Sequence, residues 1–272
     1  MRMEPAMKKA RVSSCIFCGI LAVLTLSCSL PFSFLDLMTG ENTQETESWQ
    51  AEVDTLKTMT RSQPIPNFLV DPEVPPSGEV FDPNQLLVPL DHLSLRQGYI
   101  LDFVYRYDGI GGRPFLYARK LSDPRFENFE EFSQANDDSS YLNFIECDDT
   151  PESYFQWVLL NLMGNQFYLY WHAGYIDAEI IASQDRLEAL VEEMSGTEMG
   201  IPFTNAQKRQ ALKIDPAPVV KIGDETVTVQ VVSFSKWSGF TRYIFTLSRS
   251  HPHQILNLET ENLLEYDCGI MF

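Results

Sequence analysis

The chain has 272 residues, of which 44% are hydrophobic and 12% aromatic, enough for a sizeable core and too much for a disordered body. Its 20 basic and 38 acidic side chains leave a net charge of −18. Phosphate backbones repel such a surface, so nucleic acid is not an expected partner.

Lys8, Lys9 and Arg11 precede an apolar run, Ile16 to Leu26, and the small residues Ser27, Cys28 and Ser29 follow. This order is that of a secretory signal peptide. The run is shorter than the about 20 residues a helix needs to cross a bilayer. Thr25-Leu26-Ser27-Cys28 resembles the lipobox of bacterial lipoproteins, in which a cysteine after a small residue is acylated and becomes the first residue of the mature chain. Ser27 fits that pattern, whereas Thr25 stands where leucine is usual. The resemblance implies lipidation at Cys28 and a membrane anchor. It covers about four residues and implies nothing about the domain beyond. A cut after Ser29, releasing a soluble exported protein, and an uncleaved leader remain open. Loss of residues 1–27 would deepen the acidity, because it removes four basic side chains and only Glu4.

Residues 28–90 read as an acidic, proline-rich tether. Trp49, Val53 and Leu56 fall at helical spacing, which predicts a short amphipathic helix over 45–59. Pro64, Pro66, Pro72, Pro75, Pro76, Pro83 and Pro89 then favour extended chain, since proline fixes φ and lacks a backbone donor. The expected folded body is a single domain over 91–272.

Tyr99, Leu101, Phe103, Tyr105 and Tyr107 alternate with residues that include Asp102 and Arg106, the period of a half-buried strand. The turn Asp108–Gly112 and the run Pro114–Lys120 complete a hairpin. The glycines there do not make a phosphate loop, because strand leads to strand and no Gly-Lys-Ser/Thr follows. Asp123-Pro124 opens a short helix through Phe126 and Phe129, and 141–147 reads as a strand. The runs 154–162 and 167–172 flank Gly164-Asn165 and read as a second hairpin, with 175–182 as a further strand. Thr150-Pro151 offers a competing helix start for the first of these runs. Ser183 caps a helix whose Leu187, Leu190, Val191 and Met194 recur at i, i+3, i+4 and i+7. Thr204 with Gln207 forms a capping box for another helix to about Leu212. Val227, Val229 and Val231, then Tyr243, Phe245 and Leu247, mark two long strands, and 263–268 a last one. The predicted fold is α+β: a mostly antiparallel sheet of eight or nine strands in hairpins, with two or three helices packed on one face.

Cys147 and Cys268 are the cysteines that remain beyond the leader region. An exported chain allows them to pair, and we expect a disulfide between them. His251-Pro252-His253 has the spacing that points two imidazoles to one side of an extended chain. As zinc ligands they would need Asp267 or Glu259 as well, and no second ligand cluster at diagnostic spacing is present, so no cofactor is expected. His172 would need Asp177 or Glu179 as a partner to act as a general base, and no Gly-x-Ser-x-Gly supplies a nucleophile. Tyr170, Trp171, His172 and Trp237 are candidate binding residues, because strand aromatics on alternate faces do not all enter one core. These features predict an exported, non-catalytic binding module at the cell envelope, anchored by lipid and contacting a protein or cell-wall component. The alternative is an exported hydrolase or metalloenzyme using His172 or His251 and His253.

Overall fold

The computed structural model describes residues 36–71, 73–135, 140–171, 178–198 and 200–270, with side chains from residue 48 onward. Cys28 and the leader, His172 and Asp177 lie outside the described residues. Among those described, ten strands and five α-helices form an α+β fold in which every strand pair is antiparallel. No described helix is long and apolar enough to cross a membrane.

The larger sheet is a meander of β8 (Thr226–Ser235), β9 (Gly239–Ser248) and β10 (Ile255–Leu264). The far edge of β8 carries β6 (Glu179–Ile181) and β7 (Val219–Ile222), each along part of its length. A three-stranded sheet joins β2 (Tyr99–Tyr107), β3 (Gly111–Lys120) and the two-residue β5 (Tyr170–Trp171). β1 (Leu93–Leu95) pairs with β4 (Ile145–Cys147) in a small ribbon. The hairpin predicted over 99–120 is present, with Gly109 at φ 92° in its turn and the Asp108 carboxylate accepting from the amides of Ile110 and Gly111.

Two hydrophobic clusters use this frame. Val227, Val229 and Val231 of β8 enter the first, Val232 and Phe234 the second. Side chains alternate across a strand, so the two clusters lie on opposite faces of β8. The first holds α1 (Asp36–Arg61), α3 (Pro151–Met163) and the inner side of the β2–β3 hairpin. The second holds α4 (Gln184–Ser195) and α5 (Asn205–Ala211). The fifth helix, α2 (Phe129–Gln134), lies beside β2 and stacks Phe129 on Phe115 of β3. Helices therefore serve both faces of the main sheet rather than one.

Several local expectations change. Residues 154–162 belong to α3, not to a strand. Thr150 caps the helix by accepting from the Ser153 amide, and Pro151 occupies its first turn. Ser153 to Leu160 are all buried, so no polar face betrays the helical period. The stretch expected as a tether is, from Trp49 onward, part of the folded body. Trp49, Val53 and Leu56 are buried and Trp49 stacks on Phe155 at 4.8 Å between ring centres. Phe81, Leu86 and Leu90 from the proline-rich run are buried as well. Their backbone is satisfied without sheet pairing. The Phe81 amide donates to the Tyr168 hydroxyl, and the Asn84 side chain exchanges two hydrogen bonds with the backbone of Leu101. Residues 145–147 alone of 141–147 are strand, and the cap of α2 is Asn128, five residues later than Asp123. The last strand is 255–264, earlier and longer than 263–268.

Cys147 and Cys268 are not paired. Cys268 is buried in the second cluster, while Cys147 packs against the first and its thiol donates to the Ser153 carbonyl. With one cysteine in each cluster, no disulfide joins them.

Candidate functional site

The β4–α3 connection meets the start of β8 and the β9–β10 connection at a cleft of about 850 Å³. Its walls include Glu146, Cys147, Asp149, Tyr154, Arg249, His251, His253 and Leu256. Asp149 has φ 69°, a left-handed conformation that aspartate tolerates better than most residues. This turn sends its carboxylate to the Arg249 guanidinium, whose Nε and Nη2 bond one carboxylate oxygen each. The Tyr154 hydroxyl donates to the same carboxylate at 2.8 Å. Arg249 and then Tyr154 hold the Asp149 carboxyl down at about 2, so it is ionised throughout the physiological range. Arg249 also donates to the Gly223 carbonyl, which ties the cleft to the loop before β8.

The other ionisable groups are committed in the same way. Burial pushes the Cys147 thiol up to about 12, far from a nucleophilic thiolate. His253 is buried, with its ring edge-on to Tyr154 and Nδ1 at 3.1 Å from the Ser248 carbonyl. His251 lies beside it, with ring centres 5.6 Å apart. Burial, and then the nearby Arg96 and His253, hold His251 below the ordinary histidine range.

The two histidines do converge, as the spacing predicts, but not on a metal site. The Arg96 guanidinium stands 2.9 Å from His251 Nδ1, where a cation would have to sit. Glu259 accepts from the Asn257 side chain and Asp267 from the Gly269 amide, so neither completes a ligand set. Among the described residues no three of His, Cys, Asp and Glu are placed to hold an ion. Glu179, the other suggested partner of His172, forms ion pairs with Lys57 at 2.7 Å and with Arg186. Against its own burial, Arg186 and Lys57 hold the Glu179 carboxyl low, the reverse of a general base poised near neutrality.

A neighbouring polar cluster escaped the sequence reading. His92 Nδ1 meets the Asp148 carboxylate at 2.7 Å, and the Asp148 bond raises the imidazole above its ordinary range. Thr150 donates to Asp148, but the same hydroxyl caps α3. Beneath this cluster the Gln156 side chain accepts from the His92 amide and donates to Asp91. The signal available was Asp148-Asp149-Thr150-Pro151, a helix start with acidic neighbours, which says nothing of His92 56 residues away.

Of the aromatic candidates, Trp171 is 59% exposed, and Tyr170 packs edge-on to Tyr107. Trp237 is half-buried against the second cluster. They do not share one patch. Elsewhere, on β10, Ile255, Leu256 and Leu258 are 40%, 56% and 46% exposed within four residues. Among the described residues β10 pairs only with β9, and residues 255–262 are exposed on both faces. Leu256 also lines the cleft, so the open edge and the cleft adjoin.

No family model matches the chain, and no curated protein or solved structure matches it.

Proposed function

We propose that the chain is an exported, lipid-anchored, non-catalytic interaction module of the cell envelope. The observation that carries the non-catalytic reading is the set of fixed partners in the cleft. Asp149 is held ionised by Arg249 and Tyr154, Cys147 by burial as a neutral thiol, and His251 beside a guanidinium. A hydrolase needs an activated nucleophile beside its base, and neither the neutral Cys147 thiol nor the paired Asp149 carboxylate is one. A cleft of mutually paired charged side chains beside an open strand suits recognition instead. The charged flank and apolar run of the leader support export, and Ser27-Cys28 supports the anchor.

Metabolic labelling with palmitate tests the anchor, comparing wild type with Cys28→Ala and with globomycin-treated cells. Label on the wild-type chain, lost in the variant, is the expected result. An unprocessed, unlabelled chain in the soluble cytosolic fraction would overturn the envelope role.

A further inference from the structure

We infer that β10 is a docking edge for an extended peptide that alternates basic and apolar residues, added as a further strand of the main sheet. The inference rests on the interaction role proposed above but not on the lipid anchor.

The edge is open and in regular register along six residues, Asn257 to Asn262. A strand in an antiparallel sheet bonds one neighbour with alternate backbone groups and turns the other half outward. Residues 255–262 of β10 have β9 on one side, and among the described residues no strand lies on the other. At residue 263 the edge closes, because the Gln210 side chain of α5 donates to the Leu263 carbonyl at 3.0 Å. Protected sheet edges are short, bulged or covered, and β2 shows the covered kind where Asn84 occupies the backbone of Leu101. β10 is irregular between Ile255 and Asn257 and between Asn262 and Leu264, and the regular run between these points, Asn257 to Asn262, has no cover among the described residues.

The register specifies what an added strand must present. Val229, Phe245 and Leu258 stand opposite one another across β8, β9 and β10. The first is fully buried and the second is 1% exposed, but the row ends in solvent at Leu258, which is 46% exposed. An apolar side chain opposite Leu258 would continue the row and cover its end. The other face of β10 carries Asn257, Glu259 and Glu261. Arg242 neutralises Glu261 at 2.7 Å, whereas the partner of Glu259 is the uncharged Asn257 amide. Residues of an added strand that flank the apolar one fall opposite these carboxylates, so basic side chains are favoured there. Strand addition of this kind takes its affinity from main-chain bonds and its selectivity from alternate side chains. Two copies of this chain joined through β10 would instead bring two chains of net charge −18, each with its own Glu259 and Glu261, to one seam.

The test measures fluorescence anisotropy of a labelled Lys-Val-Lys-Val-Lys-Val-Lys peptide with the full-length protein in detergent. Four control peptides accompany it: one with glutamate for lysine, one of the same composition with its lysines in a single block, and two forms N-methylated on alternate residues. Binding should be about tenfold tighter for the alternating cationic peptide than for either altered sequence, from two or more cross-strand pairs. One N-methylated form should bind and the other should not, because only one set of amides faces β10. In Glu259→Lys/Glu261→Lys the charge preference should reverse. Absence of binding, equal binding of the blocked peptide, or indifference to both N-methyl patterns overturns the inference, and the wild-type measurements decide it even where the variant fails to fold. A concentration-dependent dimer that Leu258→Glu disperses would assign the edge to a second copy and overturn it equally. Palmitate labelling is unaffected by any of these results.

Discussion

The two hydrophobic clusters on either side of β8 were assembled in different ways. The second draws on residues between Ile181 and Cys268, a continuous third of the chain, and its helices α4 and α5 carry complete local signals. The first reaches from Trp49 to Leu247 and depends on a helix, a proline-rich run and a hairpin that precede α3. The difference teaches that a segment with weak local character is not thereby peripheral. Residues 62–90 look like a spacer because they form only short turns and are tied to the body by side-chain bonds, the Tyr168 hydroxyl accepting from the Phe81 amide and Asn84 bonding the backbone of Leu101.

The strongest way to break that comparison is Trp49→Ala. A buried indole stacked on Phe155 should cost about 3–5 kcal/mol when truncated, whereas the same change in a tether would cost almost nothing. Urea unfolding of the full chain decides between them. Gly239→Ala attacks the second cluster at the corner between β8 and β9. Gly239 has φ 81°, and a Cβ there would sit 2.0 Å from the Leu264 carbonyl oxygen. Strain and clash together should destabilise by about 2 kcal/mol or more, with Cys268 becoming open to alkylation before Cys147.

A smaller effect separates the clusters by pH. Glu52 on α1 packs over Gln156, and one of its carboxylate oxygens is buried without a partner. Burial raises its carboxyl to about 7, opposed by the Gln156 bond and assisted by the nearby Asp91. Below about pH 4 both folded and unfolded chains hold this proton. As pH rises towards 7 the unfolded chain releases it first, so the contribution to stability is lost across that window. Glu52→Gln should therefore match wild type at pH 4 and exceed it by about 1 kcal/mol at pH 8, once solvent screening is allowed for. Thermal unfolding at the two pH values checks the sign.

Asp149 should show the opposite dependence. Its folded carboxyl is held at about 2, so its pairing with Arg249 supports the fold above the ordinary aspartate range and is lost as pH falls towards 2. Asp149→Asn should remove a small part of the acid-induced loss of stability while leaving the neutral circular dichroism unchanged. The smallest expected change concerns the thiols. Without reductant, unfolded protein should be alkylated at both Cys147 and Cys268, as peptide mapping would show, and a linked pair of peptides would contradict their separation into two clusters.

Much of the fold could be read locally. The strand over 99–107, the Asp108-Gly109 turn, the Ser183 cap of α4 and the capping box Thr204–Gln207 are all present, the last with both of its hydrogen bonds, but Asp102, expected on the wet face of its strand, is buried against Arg119. The site was less legible. His251 and His253 are neighbours in space as in sequence, but Arg96, which stands against the His251 ring, is 155 residues away from it.

What the sequence by itself determined was each element that keeps one side in water. Alternation with period two, or the stripe at i, i+3, i+4 and i+7, exists only where polar residues mark the wet face, and caps and turns act between residues a few positions apart. Tertiary structure decided the elements that water does not reach. α3 is buried along Ser153–Leu160 between α1 and the sheet, so it carries no polar period, and its own caps contend with a turn that suits a hairpin equally well. Tertiary structure also placed the cysteines in separate clusters and left β10 as an edge, because burial and strand order depend on which distant segments pack against each face.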